Sequence, residues 1–336
     1  MGGVDVPEGV GLMAPNRELV ADRNLAMELV RATEAAAIRA FPLIGKGDKN
    51  AADGAAVDAM RAFLGTVDFE GLVVIGEGEK DNAPMLFNGE IVGTGHGPKV
   101  DIAVDPIDGT SLTAAGRMNA ISVIAVSDRG TMLDASSVYR MQKFVTGEPG
   151  VGVCDMSMSI KENLTEYARA AKKDVTELLV AVLDRDYNED VIDQVRSAGA
   201  ATRLLRDGDV AGGIQAARSE SRIDMCIGKG GSPEGIVTAC GVRALGGFMQ
   251  GKLAPKDESE IAAGNKAGLK FDYVYQMDEL VSSDNTFFVA TGVTDGPLVS
   301  GVRKKGNLIL AESIVIRGKT GTVRKIFAEY QAARWL

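Results

Sequence analysis

The sequence predicts an α/β protein of two packed subdomains, and three observations carry that prediction. The chain has 336 residues, too many for one small core, and 45% of them are hydrophobic. In the second half, short apolar runs alternate with amphipathic segments, as in helices packed on a largely buried sheet. Several of the apolar runs end abruptly in acidic, glycine-containing turns. The subdomain boundaries expected are 1–21 for a loose arm, 22–155 for an α+β unit and 156–336 for an α/β unit.

Residues 1 to about 20 are rich in Gly, Pro and Val without helical periodicity. A helix is expected from Arg23, with Leu25, Leu29, Ala32, Ala36 and Ala40 on one face, ending at Pro42. GKGDKN is a polar turn. A second helix is expected to begin near Asp53, which is a suitable N-cap, with Val57, Met60 and Leu64 inward. Strands follow at Leu72–Ile75, Ile102–Val104 and Ala120–Val126. Beyond residue 155 the expected elements are a strand at Leu178–Leu183, a helix over 188–198, a strand over 201–205 and a strand at Asp224–Ile227. Pro233 is placed for the first turn of the next helix.

Composition narrows the chemistry. A formal net charge of −9 argues against a general nucleic-acid binder. No apolar run approaches the ~20 residues that a membrane span needs. MGGVDVPEGV lacks the basic and apolar regions of a signal peptide, and Val6 stands where a myristoylation signal needs Ser or Thr. Three cysteines without a C-x-x-C pair fit a reducing cytosol. The single histidine, His96, lies in the loop GTGHGP, so a multi-histidine metal site is impossible. Gly318-Lys319-Thr320 imitates the end of a P-loop, but Ser313 stands where the motif needs its first glycine.

What remains is carboxylate chemistry. In Asp105-Pro106-Ile107-Asp108-Gly109-Thr110 two acids leave a buried strand three positions apart. The Ile107 carbonyl lies between them, and the Gly109, Thr110 and Ser111 amides are available to a phosphate. The alternative is an ordinary Asp-Gly turn. Gly76-Glu77-Gly78-Glu79, with Asp81 beyond, repeats the pattern after another strand, with a solvated acidic loop as its alternative. Asp53 follows Lys49, Asp207 and Asp209 end a third strand, and Glu234 sits in a glycine-rich strand-to-helix turn. Ligands of α/β sheets bind beyond the carboxyl ends of strands. Oxygen ligands of this kind suit Mg²⁺ or Mn²⁺, and two such ions about 3.5–4 Å apart serve phosphoryl transfer.

DPIDGT resembles the metal-binding signature of the lithium-sensitive phosphatase superfamily. GKGDKNAADGAAVDAMR, VVIGEGEKDNAPML, VDIAVDPIDGT, DGDVAG and GGSPEG, in that order, resemble the bacterial class II fructose-1,6-bisphosphatases from about Asp22 to Tyr330. The resemblance implies a layered α/β/α/β/α sandwich, usually dimeric or tetrameric and cytoplasmic. It implies hydrolysis of the 1-phosphate of fructose 1,6-bisphosphate in gluconeogenesis, with two or more Mg²⁺ or Mn²⁺ ions. Asp53 and Glu77 would hold one ion, Asp105 and Asp108 another, and Glu234 would join them. Lys49 and Asp81 would assist catalysis, and Thr110 would orient the attacking water. Asp108, Gly109 and Thr110 would meet the substrate phosphate, and Asp207, Gly208, Asp209 and Gly231 the sugar.

The chain departs from the family where the remote phosphate binds. Lys/Arg-Pro-Arg-His is replaced by Arg185-Asp186-Tyr187-Asn188, which removes one bidentate guanidinium. The family's substrate-binding tyrosine falls on Tyr139 by counting from the front, or on Arg140 by aligning on Met141-Gln142-Lys143. Lys229 replaces an apolar residue in the family's GIGG. A sugar bisphosphate of seven carbons, an inositol monophosphate, or a non-catalytic role as a sugar-phosphate binder are the alternatives these changes leave open.

Overall fold

The computed structural model describes residues 25–76 and 86–335. Its architecture is two β-sheets separated and flanked by helices. Helix α1 (Ala26–Ala40) lays Leu29, Val30 and Ile38 inward and ends as Phe41–Leu43 tighten into a 3₁₀ turn containing Pro42. Helix α2 (Lys49–Leu64) starts four residues earlier than expected. Asp48, not Asp53, is its cap: the Ala51 amide donates to Asp48 Oδ1 at 2.9 Å. Asp53 therefore lies within the helix and is relieved of any capping role.

The first sheet contains β1 (Glu70–Ile75), β2 (Ile91–Val92), β3 (Lys99–Asp108) and β4 (Ile121–Asp128) from the front of the chain. Beyond β4, the chain forms β5 (Arg140–Thr146), α4 (Ile160–Ala171), β6 (Leu179–Leu183), α5 (Glu189–Ser197) and β7 (Ala201–Leu205). Then come α6 (Val210–Ala216), β8 (Met225–Gly231), α7 (Ser232–Ala244) and β9 (Phe248–Leu253). The second sheet has the order β7-β6-β8-β5-β9, with β6 parallel to both β7 and β8. After the short helices α8 (Glu258–Lys266) and α9 (Met277–Leu280), the chain returns to the first sheet. It adds β10 (Phe287–Gly292), β11 (Arg303–Lys305), β12 (Leu308–Arg317) and β13 (Thr322–Gln331) there. The first sheet thus takes strands from both ends of the chain, and β5 already belongs to the second. A cut at residue 155 does not separate the two sheets.

Strand alternation builds the layers. Ile102, Val104, Ile124, Val126 and Val289 face α1 and α2, while Ala103, Val123, Ala125, Phe288 and Ala290 face the opposite way onto α6 and α7. Ala181 and Cys226 of the second sheet meet α6 and α7 from the other side. Val180, Val182 and Ile227 turn outward to Leu164 of α4 and Ile192 and Val195 of α5. The result is the α/β/α/β/α sandwich. Burying this many aliphatic side chains contributes about 1.5–3 kcal/mol each before chain entropy is subtracted. No helix of the described residues is long and apolar enough to cross a membrane.

Candidate active site

Strand β3 runs farther than its apolar core predicts, through Asp105-Pro106-Ile107-Asp108. Its pairing with β4 slips here: Asp105 faces Val123 and Asp108 faces Ile121, so three steps on one strand match two on the other. This bulge tolerates Pro106, which has no amide to donate to the ladder. Both acids are thereby aimed into one cavity of about 550 Å³ where the ends of β3, β6, β7 and β8 converge.

The structure brings most of the predicted residues to that cavity. Asp53, Asp105, Asp108, Gly109, Thr110, Tyr139, Arg185, Tyr187, Asp207, Gly208, Asp209, Gly231 and Glu234 all line it. Lys49 is exposed at the first position of α2 and does not. Asp186 is also exposed and outside the lining, because the turn after β6 presents Arg185 and Tyr187 inward and the residue between them to solvent. Lys229 does not reach the cavity wall either. Glu77 and Asp81 lie outside the described residues. His96 is an exposed loop residue.

Charge is concentrated on the inner wall. Asp108 is 3% exposed, and its Oδ2 accepts from the Val210 amide at 3.2 Å. Burial, reinforced by the Asp209 and Glu234 carboxylates, holds its pKa well above the usual range. Glu234 is raised by burial as well, and its Oε2 is buried without a hydrogen-bond partner among the described residues. Burial pushes Asp53 up to about 6. Two glycines make room for this crowding. Gly208 has φ +66°, and a Cβ there would lie 3.0 Å from Asp108 Oδ1. A Cβ on Gly231 would collide with Glu234 Oε2 at 1.7 Å.

One residue of the site was overlooked in the sequence. Lys143 of β5 is 5% exposed and pairs with Asp209, and its Nζ donates to the Gly231 carbonyl at 3.1 Å. Burial disfavours this ammonium, yet Asp209 and Glu234 hold its pKa above the ordinary lysine value. The signal was present in Met141-Gln142-Lys143, where an apolar residue and a lysine alternate along a strand. In that pattern Met141 and Lys143 share a face, and a strand this deep allows Lys143 only a paired role.

The outer wall differs in character. Arg185 is tied down: its Nη2 meets Asp207 Oδ1 at 3.1 Å, and its Nη1 donates to the Asp184 and Arg206 carbonyls. Arg140 stacks on Tyr187 at 4.6 Å from the ring centre. Tyr139 is 67% exposed at the rim. Both alignments of the tyrosine thus reach the cavity. The Ser111 amide is committed to Asp207 Oδ2 at 3.3 Å, which removes it from the amides expected to meet a phosphate. The helix after Gly109, α3 (Thr110–Ala114), has only five residues and contributes little dipole.

A wall of hard oxygen donors with surplus negative charge suits a divalent cation. The unpartnered Glu234 Oε2 and the raised Asp108 and Glu234 are the features expected of carboxylates positioned for one. Among the described residues no three of these acids close into a complete ion-binding group by themselves.

A profile of the family described as bacterial fructose-1,6-bisphosphatase, glpX-encoded, matches residues 23–330. A fructose-1,6-bisphosphatase class 2 of Haemophilus influenzae is 44% identical over 318 residues, 91% of this chain and 95% of that protein. A fructose-1,6-bisphosphatase 1 class 2 of Escherichia coli is 42% identical over 317 residues, 90% of this chain and 94% of that protein. The match runs through every strand that borders the cavity, and the chain belongs to the family of bacterial, class 2 fructose-1,6-bisphosphatases.

Proposed function

We propose that the protein hydrolyses the 1-phosphate of fructose 1,6-bisphosphate, a step of gluconeogenesis, with Mg²⁺ or Mn²⁺ held by Asp53, Asp105, Asp108 and Glu234 together with Glu77. The observation that carries the reading is the division of one cavity into a carboxylate wall and a guanidinium wall. Divalent ions held by these carboxylates would supply a water of lowered pKa and a counter-charge for the leaving oxygen.

The chain's own residues do the rest. Thr110 lines the cavity next to Asp108, which supports a role for it in accepting a hydrogen bond from the attacking water. Lys143 pairs with Asp209 and fixes its carboxylate in place, so that Asp209 is preorganised to accept from a sugar hydroxyl. Asp207 does the same for Arg185, holding its guanidinium toward the cavity before substrate arrives. The remote phosphate meets Arg185 and Arg140. Arg140 replaces the guanidinium that Tyr187 displaced, and the Tyr187 ring serves as its support.

Phosphate release from fructose 1,6-bisphosphate, sedoheptulose 1,7-bisphosphate, fructose 6-phosphate and inositol 1-phosphate tests this, in Mg²⁺ or Mn²⁺ with EDTA controls. Preference for the fructose bisphosphate, abolished by EDTA, is expected. Preference for a monophosphate would mean that the Arg140–Tyr187 pair does not bind a second phosphate, and would move the assignment to a monophosphatase of the same chemistry.

A further inference from the structure

A second cavity, of about 780 Å³, lies behind the catalytic one and shares only Asp207 with it. Five guanidinium groups line it: Arg117 after α3, Arg203 on the edge strand β7, Arg206 just beyond it, and Arg218 and Arg222 in the connection from α6 to β8. The chain carries a net charge of −9, so this local surplus runs against its overall balance.

The arginines are not spent on the fold. Arg117, Arg203, Arg206 and Arg222 make no side-chain hydrogen bond or ion pair among the described residues. Arg218 meets Glu220, but its Nη1 is buried with no hydrogen-bond partner. Burying a guanidinium donor unpaired costs about 1–3 kcal/mol or more, so its presence calls for an acceptor. The two carboxylates of the cavity are engaged already, Asp207 by Arg185 and Glu220 by Arg218. The Lys325 ammonium adds a further positive charge and among the described residues reaches only Glu312, at 3.8 Å. The floor is apolar, with Leu205, Ile223 and Leu298, which strengthens any charge-assisted hydrogen bond formed above it.

We propose that this cavity is a binding site for a compact polyvalent phosphate, a molecule presenting two phosphoryl groups to the arginine ring. Guanidinium forks pair with phosphate oxygens two at a time. A single phosphate satisfies about two forks in this way, and the four unpaired arginines call for a second phosphoryl group. An acidic peptide fits the volume less well, because carboxylates on separate side chains need a longer and more open groove.

Calorimetric titration of the full chain with inorganic pyrophosphate in EDTA tests the proposal. Without divalent ions the surplus carboxylates of the catalytic cavity oppose an anion at Arg140 and Arg185, and the double variant below, which leaves those two residues untouched, separates the second cavity from the catalytic one. One pyrophosphate per chain is expected, at least tenfold tighter than orthophosphate and weakened by salt. The double variant Arg203→Ala/Arg222→Ala, at exposed positions, is expected to lose at least tenfold in pyrophosphate affinity. Its melting temperature and its Mg²⁺-dependent turnover are expected to stay within error and within twofold. Pyrophosphate binding no tighter than orthophosphate, or unchanged in the double variant, overturns the proposal. So does a wild-type protein that fails to bind while the double variant changes its association state in sedimentation, since the cavity would then be a seam between subunits.

Discussion

The two walls of the catalytic cavity obey different rules. On the inner wall Asp108, Asp209 and Lys143 are each less than a tenth exposed, and each polar contact is made to another group of the site. On the outer wall Arg185, Tyr187 and Tyr139 are partly or largely exposed and are held by stacking, by a half-exposed ion pair and by backbone carbonyls. A buried charge network is costly to break where a paired member such as Lys143 is removed, because its partners are then stranded in a low-dielectric interior. An exposed wall exchanges one residue for another at little cost. The buried wall holds the carboxylates proposed for the metal and the exposed wall the groups proposed for the remote phosphate, so the two halves of the proposed site differ in what a substitution costs.

The contrast is broken most directly at Glu234. Glu234→Gln is expected to lower kcat by about a thousandfold or more, equivalent to about 4 kcal/mol, while the melting temperature holds or rises as a buried charge is removed. Asp105→Asn is expected to behave alike. More than a tenth of wild-type activity in both variants would remove these carboxylates from the metal site.

Lys143 is next. Lys143→Met leaves Asp209 and Glu234 without their shared cation, and a loss of about 3 kcal/mol in unfolding free energy is expected. Unfolding in urea measures it, and an unchanged midpoint would show that the lysine is not the inner wall's counter-charge.

Metal loading sharpens the same point from the other side. Mg²⁺ at a hundred times its Kd is expected to stabilise the protein by about 2.7 kcal/mol, and EDTA to reverse it. The gain is expected to shrink in Glu234→Gln. An equal gain in both would place the stabilising ion elsewhere.

The outer wall yields the smallest effect. Arg140→Ala is expected to raise KM for the bisphosphate about tenfold, about 1.4 kcal/mol, with kcat within a factor of two. A fall in kcat with unchanged KM would give Arg140 a role in turnover. Tyr187→Arg is expected to lower KM, since it restores a second fork for the remote phosphate; an unchanged KM would mean that Arg140 already fills that place.

Strand β3 and helix α2 show where local pattern was enough and where it was not. The apolar run Ile102–Val104 and the DPIDGT segment after it announced a strand and an acidic site without any tertiary information. The bulge that carries the strand on through Asp108 depends on pairing with β4, which nothing within the segment encodes. Asp53 was read as the cap on residue type, and the structure puts Asp48 there instead. The choice fell to Asp48 because helix α2 starts where α1 and the core permit, and Asp53 became a wall of the cavity.

Composition and order in the chain were sufficient to determine the α/β class and the carboxylates at the strand ends, because each depends on short-range periodicity or on residue type; Tyr139, Arg185, Tyr187, Gly208 and Gly231 came from the resemblance to a family. Only the tertiary structure decided that β10 to β13 return to the first sheet, that Lys143 sits between Asp209 and Glu234, that Asp186 and Lys49 stay out of the cavity, and that five arginines from three separate segments meet in one place. Each of these joins residues distant in sequence, and such pairings are set by the packing of layers rather than by the pattern along any one of them.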